Sequence, residues 1–194
     1  MPTDKLKLLL TRIRKCQECA AHIEPRPVLS ISKESRIMII GQAPGSRVHM
    51  TGIPWNDRSG DNLRRWLGVS TEQFYDNKIF GIVPMGFCYP GKGKSGDLPP
   101  RKECAPLWHD SIFAQLDNIE LTLLIGQYAQ RYYLQKARKS TLTDTVRHFE
   151  EYLPDFFVLP HPSPRNIGWM KRNAWFESEV LPILQRKITK AMAQ

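Results

Sequence analysis

Residues 156–166 have the sequence FFVLPHPSPRN, in which an apolar run is followed by a proline-rich segment. The apolar run is aromatic and β-branched, which predicts a buried strand. Pro162 and Pro164 fix φ and remove backbone donors, so a rigid loop carrying His161 and Arg165 leaves this strand. Ligands bind at the carboxyl edge of open α/β sheets. The stretch therefore indicates a binding site, and a structural turn whose histidine caps a neighbouring group is an equal alternative.

Length and composition define the broad class of protein. With 194 residues, 41% of them hydrophobic and 24% charged, the chain suits one globular domain over residues 1–194 and not a disordered chain. No apolar run approaches the ~18 residues of a membrane span, and the first residues lack the apolar core of a signal peptide. We therefore expect a soluble, monomeric protein of the cytoplasm with no membrane partner.

The formal net charge of +9 and the pI near 9.5 favour a polyanionic partner, most simply nucleic acid, although they also promote solubility. Basic residues recur around the proline-rich segment and the loops described below: Arg47, Arg58, Arg64, Arg65, Arg101, Lys102, Arg165, Lys171 and Arg172.

Four cysteines indicate a metal centre. Cys16 and Cys19 form a Cys-x2-Cys pair, whereas Cys88 and Cys104 follow much later in the chain. Disulfides are rare inside cells, so four thiolates suit tetrahedral zinc or an iron–sulfur cluster. The segment between Cys88 and Cys104 is too long for a zinc-ribbon turn, and its basic, glycine-rich start predicts a mobile loop. The spacing favours zinc and an iron–sulfur cluster equally, and it favours unrelated buried cysteines less than either.

Strand and helix patterns alternate along the chain. Apolar runs predict strands at 36–40, 79–85, 121–125 and 156–160, and helical patterns lie at 4–14, 59–67, around Cys104, at 127–135 and at 171–188. In the last helix we expect Trp175, Val180, Leu181 and Leu184 to be buried despite Pro182. This alternation predicts an α/β fold of three layers, α/β/α, around a central, mainly parallel four-stranded sheet.

The first predicted strand runs directly into residues 41–45, GQAPG. Gly and Pro immediately after a strand favour a loop whose backbone approaches a ligand closely. The G-x-G-x-x-G spacing of a dinucleotide site is absent. A long loop continues through residues 51–60, TGIPWNDRSG. These loops and the proline-rich segment all leave the carboxyl ends of strands, so we expect them to converge.

The order of these motifs resembles the uracil-DNA glycosylase superfamily, and within it the iron–sulfur branches. Residues 41–45 resemble the Gly-Glu-Ala-Pro-Gly motif of the fourth family, and residues 51–60 resemble a Thr-Gly-Arg-Pro-Phe-Thr-Gly-Asp-x-Ser-Gly stretch of the fifth family with one residue fewer. Residues 161–166 are similar to the fifth family and to the single-strand-selective monofunctional uracil glycosylases. The resemblance spans residues 16 to about 170, and its specificity comes from the motif order together with the cysteines.

The resemblance implies a DNA glycosylase that hydrolyses the N-glycosidic bond of uracil or another deaminated base in DNA during base excision repair. It also implies that Cys16, Cys19, Cys88 and Cys104 hold a [4Fe-4S] cluster, with zinc as the alternative. The resemblance further implies that Pro162, Pro164 and Arg165 contact the DNA, as a wedge in the duplex and as ligands of its phosphates.

Site roles follow from the same resemblance and from the chemistry of base release. His161 is the expected donor to the leaving base, and Trp55 is the expected stacking wall. Gln42 is expected to bind the water or the base. The rest of the substrate-binding set comprises Gly41, Ala43, Ser163 and Asn166.

The water-orienting carboxylate departs from the family pattern. The fourth family carries an acid where this chain has Gln42, and the classical family carries one near Ala43. We therefore assign the catalytic role to Asp57, with Asp61 as the fallback. The alternative is that Asp57 only caps the following helix, for which Asp is well suited.

Residues 81–87, GIVPMGF, lack the Asn that the family places before its third cysteine to read uracil. We therefore expect broadened activity on deaminated purines, or weak activity. Two other functions stay open: an inactive DNA-binding module of the same fold, and a zinc hydrolase that uses His161, His109 or His148, although these histidines lack a zinc-ligand spacing.

Overall fold

A four-stranded parallel sheet forms the centre of the structure, a computed structural model that describes residues 4–193. The ends of the predicted domain, residues 1–3 and 194, lie outside the described part. The sheet strands are β1 (Ile37–Ile40), β2 (Phe80–Ile82), β5 (Leu121–Ile125) and β6 (Phe157–Leu159), and a separate hairpin consists of β3 (Lys92–Gly93) and β4 (Gly96–Asp97). The order of the strands across the sheet is β2–β1–β5–β6.

Helices flank the sheet. They are α1 (Lys5–Arg14), α2 (Ser46–Thr51), α3 (Arg58–Leu67), α4 (Thr71–Tyr75), α5 (Cys104–Phe113), α6 (Gln127–Leu134), α7 (Leu142–Arg147), α8 (Ile167–Arg172) and α9 (Leu181–Met192). Helix α1 packs against α5, and α3 packs against α9, which also contacts β5. The predicted α/β fold with a parallel four-stranded sheet is confirmed. Within residues 4–193, none of the helices has the length and apolar character needed to cross a membrane.

The central strand β1 is apolar and buried at every position. It pairs in parallel with β2 on one side and with β5 on the other, so that Ile37 lies beside both Phe80 and Leu121. A parallel strand covered on both faces requires such a continuous apolar run and not an alternating one. Because all four strands run in parallel, their carboxyl ends meet at one edge of the sheet.

Three helices were missed by the sequence patterns, namely α2, α4 and α7. Each has only five or six residues, which is too short for a 3.6-residue period to be recognised. Local capping accounts for one of them: Ser70 accepts a hydrogen bond from the Gln73 N–H of α4, and the Gln73 side chain accepts one from the Ser70 N–H.

The prediction of one continuous C-terminal helix at 171–188 is wrong. Residues 167–192 form α8, a π-helical turn at Phe176–Val180 and then α9. Pro182 lies in the first turn of α9, where its missing N–H and its ring cost little. Phe176 is fully buried, whereas Trp175, predicted to be buried, is only partly so.

The segment between Cys88 and Cys104 is also different from the mobile loop that we predicted. Its strands β3 and β4 form an antiparallel hairpin in which Lys92 pairs with Asp97. Gly96 has a φ of +142°, a conformation that side chains rarely adopt. Glycines on both sides of Lys94-Ser95 therefore permit a tight turn.

Gly60 is required by packing inside α3, because a Cβ atom there would lie 1.7 Å from the carbonyl oxygen of Trp55. We expect Gly60→Ala to lower the free energy of unfolding by about 1–3 kcal/mol or more, as overpacking does. Gly168 in α8 is the matched control, because its nearest atom, Arg172 Nη1, would be 3.5 Å from a Cβ. Gly168→Ala should therefore raise stability by up to about 1 kcal/mol, through helix propensity. Urea unfolding of both variants checks this, and equal effects would contradict it.

Candidate active site

The loops that follow β1 and β6 converge on a cavity of about 360 Å³ at the carboxyl edge of the sheet. The hairpin β3–β4 and the segment before α3 complete its walls. Nine of the predicted site residues line it: Gly41, Gln42, Ala43, Trp55, Asp57, His161, Ser163, Arg165 and Asn166. Motifs separated by more than a hundred residues in sequence are thus neighbours in space.

Trp55 forms one wall of the cavity. Its ring lies 5.7 Å from that of His161, centroid to centroid, at an angle of 35°. A Cβ on Gly41 would lie 2.7 Å from Trp55 Cζ2, so the glycine at the end of β1 is what allows the indole to lie there. Trp55 itself has a φ of +55°, in the left-handed region that costs energy for a bulky residue.

The two carboxylate oxygens of Asp57 have different neighbours. Oδ1 accepts a hydrogen bond of 2.9 Å from Gly60 N, so Asp57 is the N-cap of α3. Oδ2 points toward Gly45, at 3.8 Å from the position of a Cβ on that residue. Capping therefore uses one oxygen and leaves the other facing the cavity.

His161 enters the cavity on a loop that is fixed at two points. Its backbone oxygen accepts a bond of 2.7 Å from Asn166 Nδ2, and the oxygen of Pro162 accepts one of 2.9 Å from Asn62 Nδ2. Among residues 4–193, no group is hydrogen-bonded to the His161 ring nitrogens. Burial lowers the pKa of His161, and the nearby Asp57 and Asp97 carboxylates oppose that shift. The ring is thus neutral near pH 7, with an N–H free for a ligand.

Arg165 and Asn166 are held by the protein itself. The guanidinium of Arg165 donates to the oxygen of Ser95 at 3.0 Å, and it lies where a Cβ on Gly96 would be, at 2.5 Å from Nη1. It therefore joins the proline-rich loop to the hairpin. Ser163 Oγ accepts from the Arg165 N–H at 3.3 Å.

Three predicted residues lie outside this cavity. Pro162 and Pro164 line a neighbouring groove of about 590 Å³, which Ser163 shares with the cavity. Asp61 lines that groove as well, and its carboxylate pairs with Arg64 of the same helix. Of the two aspartates, Asp57 lines the cavity and Asp61 does not.

Asp97 also lines the cavity, although no motif in the sequence pointed to it. This residue is exposed at the mouth of the cavity, on β4. Its Oδ1 accepts a bond of 3.2 Å from the Tyr89 hydroxyl, and its Oδ2 would lie 3.6 Å from a Cβ on Gly45. Asp97 belongs to none of the motifs, so only recognition of the Gly-flanked hairpin turn would have pointed to it.

Comparison with known proteins agrees with this geometry. Residues 30–185 match the sequence family described as the Uracil DNA glycosylase superfamily. The chain belongs to this superfamily. It is 25% identical over 169 residues to the Type-4 uracil-DNA glycosylase of Thermotoga maritima, and the aligned residues cover 82% of each chain. It is 27% identical over 139 residues to the Type-4 uracil-DNA glycosylase of Saccharolobus solfataricus, over 69% of this chain and 61% of that protein. The predicted family and the predicted enzyme class, a DNA glycosylase, are confirmed.

The four cysteines of this glycosylase superfamily member are free thiols, with Cys16 half-buried and the others buried. Burial raises the pKa of Cys88 to about 11, and the charges of Cys104, Cys16 and Cys19 add to the rise. The four thiols therefore lie in one neighbourhood. Residues 4–193 nevertheless contain no group of three or more His, Cys, Asp or Glu side chains placed to hold a metal ion.

The histidines do not form a zinc site in the described part of the chain. His109 is fully buried, bonded to the Tyr133 hydroxyl at 2.5 Å and to the Pro84 oxygen at 3.1 Å, and burial lowers its pKa to about 4. His148 bonds the backbone oxygen of Asp144. Neither lines the cavity that contains His161, so the zinc-hydrolase alternative lacks support.

Capping by Asp57 can be tested apart from any activity. Asp57→Ala should lower the free energy of unfolding by about 1 kcal/mol, because the Gly60 N–H loses its acceptor. Asp57→Asn should leave it nearly unchanged, since Asn caps helices equally well. Urea unfolding measures both, with Asp117→Ala as an exposed control. Equal losses in the Ala and Asn variants would contradict the capping assignment.

Proposed function

We propose that this protein hydrolyses the N-glycosidic bond of uracil or another deaminated base in DNA, as a monofunctional glycosylase of base excision repair. The observation that carries the proposal is the single cavity that brings His161, Trp55 and Asp57 together. An imidazole donor, an aromatic wall and a carboxylate are the groups that release of a flipped base requires.

The neutral His161 ring acts on the leaving group. When the C1′–N bond breaks, its electron pair passes to the base, and negative charge develops on the base oxygen. A neutral imidazole N–H donates a hydrogen bond to that oxygen and stabilises the anion. Burial keeps the ring neutral, because it disfavours the charged form.

Asp57 acts on the other reactant. Its Oδ2 accepts a hydrogen bond from the attacking water, whose oxygen bonds to C1′, and the carboxylate takes the proton that the water loses. Negative charge there also stabilises the positive sugar in the transition state. The capping bond to Gly60 holds the carboxylate in place, so the structural and the catalytic roles support each other. Gln42 lines the cavity beside it and supplies an amide for the water or the base.

Substrate binding divides between the cavity and the groove. Trp55 stacks on the flipped base, while Gly41, Ala43, Ser163 and Asn166 line the remaining walls. The groove beside Pro162 and Pro164 has the cations of Arg58, Arg65 and Lys171 on its walls, which suits the phosphates of the flanking strand. Arg165 would bond a phosphate through the part of its guanidinium that is not bonded to Ser95.

Base selectivity is expected to be broad. The cavity wall contributed by the end of β2 consists of Ile82 and Pro84, which offer no side-chain amide for the uracil edge. A site without such a reader discriminates less between uracil and the deaminated purines.

Base release from oligonucleotides that carry uracil, hypoxanthine or xanthine, single- or double-stranded, tests this function, with alkaline strand cleavage as the readout. We expect release from at least one substrate, and a loss of about 10²- to 10⁴-fold in Asp57→Asn and in His161→Ala. Asp117→Asn, an exposed carboxylate before β5, is the matched control and should match the wild type.

If the protein still binds the DNA but releases no base from any of these substrates, the glycosylase function is contradicted and the inactive DNA-binding module is favoured. Because Asp57→Asn keeps the helix cap, a loss of rate in that variant reports on the charge and not on folding.

We also propose that Cys16, Cys19, Cys88 and Cys104 hold a [4Fe-4S] cluster. Four mostly buried thiols whose charges act on one another fit an all-thiolate cluster. Zinc, which also takes four thiolates in structural sites, is the alternative. When bound, the cluster supplies a rigid link between the end of α1, the segment after β2 and the start of α5.

Iron and acid-labile sulfide content tests the cluster. Brown protein with about four iron atoms per chain is expected from iron-replete expression. Cys88→Ser should lose the colour and most of the iron, together with thermal stability. One zinc ion per colourless chain would contradict the assignment.

A further inference from the structure

The proposed chemistry leaves one carboxylate of the cavity unused. Asp97 lies on β4, opposite the GQAPG loop, and it lines the same cavity as Asp57 and His161. The first motif of this chain contains no acid, since Gln42 and Ala43 occupy the positions where an acid is expected. A carboxylate from a different element therefore enters a cavity whose first loop is neutral.

The two carboxylates face the same point. A Cβ on Gly45 would lie 3.6 Å from Asp97 Oδ2 and 3.8 Å from Asp57 Oδ2. In each residue this is the oxygen that is not used structurally, because Oδ1 of Asp57 accepts from Gly60 N and Oδ1 of Asp97 accepts from the Tyr89 hydroxyl. The space above Gly45 is thus bordered by two carboxylate oxygens with free lone pairs.

Asp97 is held in that position by the hairpin. Its backbone pairs with Lys92, and Leu98 N donates to Gly91 O at 2.9 Å, so both strands are in register. The turn is fastened to the proline-rich loop through Arg165 and the oxygen of Ser95. The same loop carries His161, so the hairpin carboxylate and the donor imidazole are positioned as one unit.

Both carboxylates act on the pKa of His161. Asp57 and Asp97 each raise the pKa of His161, against the larger lowering by burial. Both negative charges therefore lie near the ring. Asp97 is exposed in the free protein, and DNA over the cavity mouth would exclude water and strengthen this interaction.

We propose that Asp97 is a second catalytic carboxylate, which together with Asp57 binds and orients the water that attacks C1′. The inference rests on the proposed glycosylase function. The water donates one hydrogen bond to each Oδ2, its oxygen bonds to C1′, its proton passes to one of the two carboxylates, and the electron pair of the C1′–N bond leaves with the base. The hairpin in this way supplies the water-orienting carboxylate that is missing at position 42.

Single-turnover base release by Asp97→Asn, Asp57→Asn and the double variant tests the shared water. We expect Asp97→Asn to lose about 10²-fold in rate on every substrate, with unchanged affinity for DNA that carries an abasic-site analogue. Because both groups act on one water, the double variant should lose about as much as the worse single variant, and not the product of the two losses. Asp97→Glu, which keeps the charge, should retain more activity than Asp97→Asn.

Three results would overturn the proposal: a wild-type rate in Asp97→Asn, multiplicative losses in the double variant, or a loss that differs from base to base. The last would make Asp97 a reader of the base. Asp117→Asn is the charge-matched control, and unfolding of each variant in urea separates a rate effect from misfolding.

An NMR titration of the His161 ring separates this proposal from the function on which it rests. Asp97→Asn should lower the pKa of His161, because a charge that raises it is removed, whereas Asp117→Asn should leave it unchanged. An unchanged His161 pKa in Asp97→Asn would exclude Asp97 from the site. A lowered pKa in a protein that releases no base would refute the glycosylase function and the catalytic role, but not the placement of Asp97.

Discussion

The close packing of Trp55 between two glycines is the constraint on which the cavity depends. Gly41 at the end of β1 admits the indole ring, and Gly60 in the first turn of α3 admits the Trp55 carbonyl. Neither contact tolerates a Cβ, so strand, tryptophan and helix have one relative position. Because Asp57 lies between Trp55 and Gly60, its carboxylate is placed relative to the strand end by the same contacts. The strained φ of Trp55 is maintained by this packing.

The long, strongly patterned elements could be predicted from the sequence. Strand β5 has the predicted bounds, 121–125, and α1 differs by one residue from the predicted helix. Both contain unbroken apolar patterns whose period decides the type of element. Their order implied a parallel sheet, and the parallel sheet implied convergence of the loops that carry Gly41 and His161. That step required no knowledge of any side-chain contact.

What could not be predicted depends on contacts between distant segments. The hairpin that carries Asp97 has two residues in each strand, and it is stabilised by Arg165, which lies far away in the chain. No local pattern records such a contact. Likewise, no sequence pattern shows that Asp57 can cap a helix and also face the cavity. A carboxylate has two oxygens, and the structure directs them to different neighbours.

The proposed cluster and the proposed active site meet in this hairpin. Cys88 and Cys104 lie on either side of it, so ligation of both would fix the two ends of the segment and reduce the entropy that it loses on ordering. Arg165 fixes the tip from the opposite side. Asp97 would then lie on a segment held at both ends by the cluster and at its turn by the loop of His161. A cluster with no part in the reaction would in this way still determine where a catalytic carboxylate lies, because the segment that presents Asp97 has little regular structure of its own.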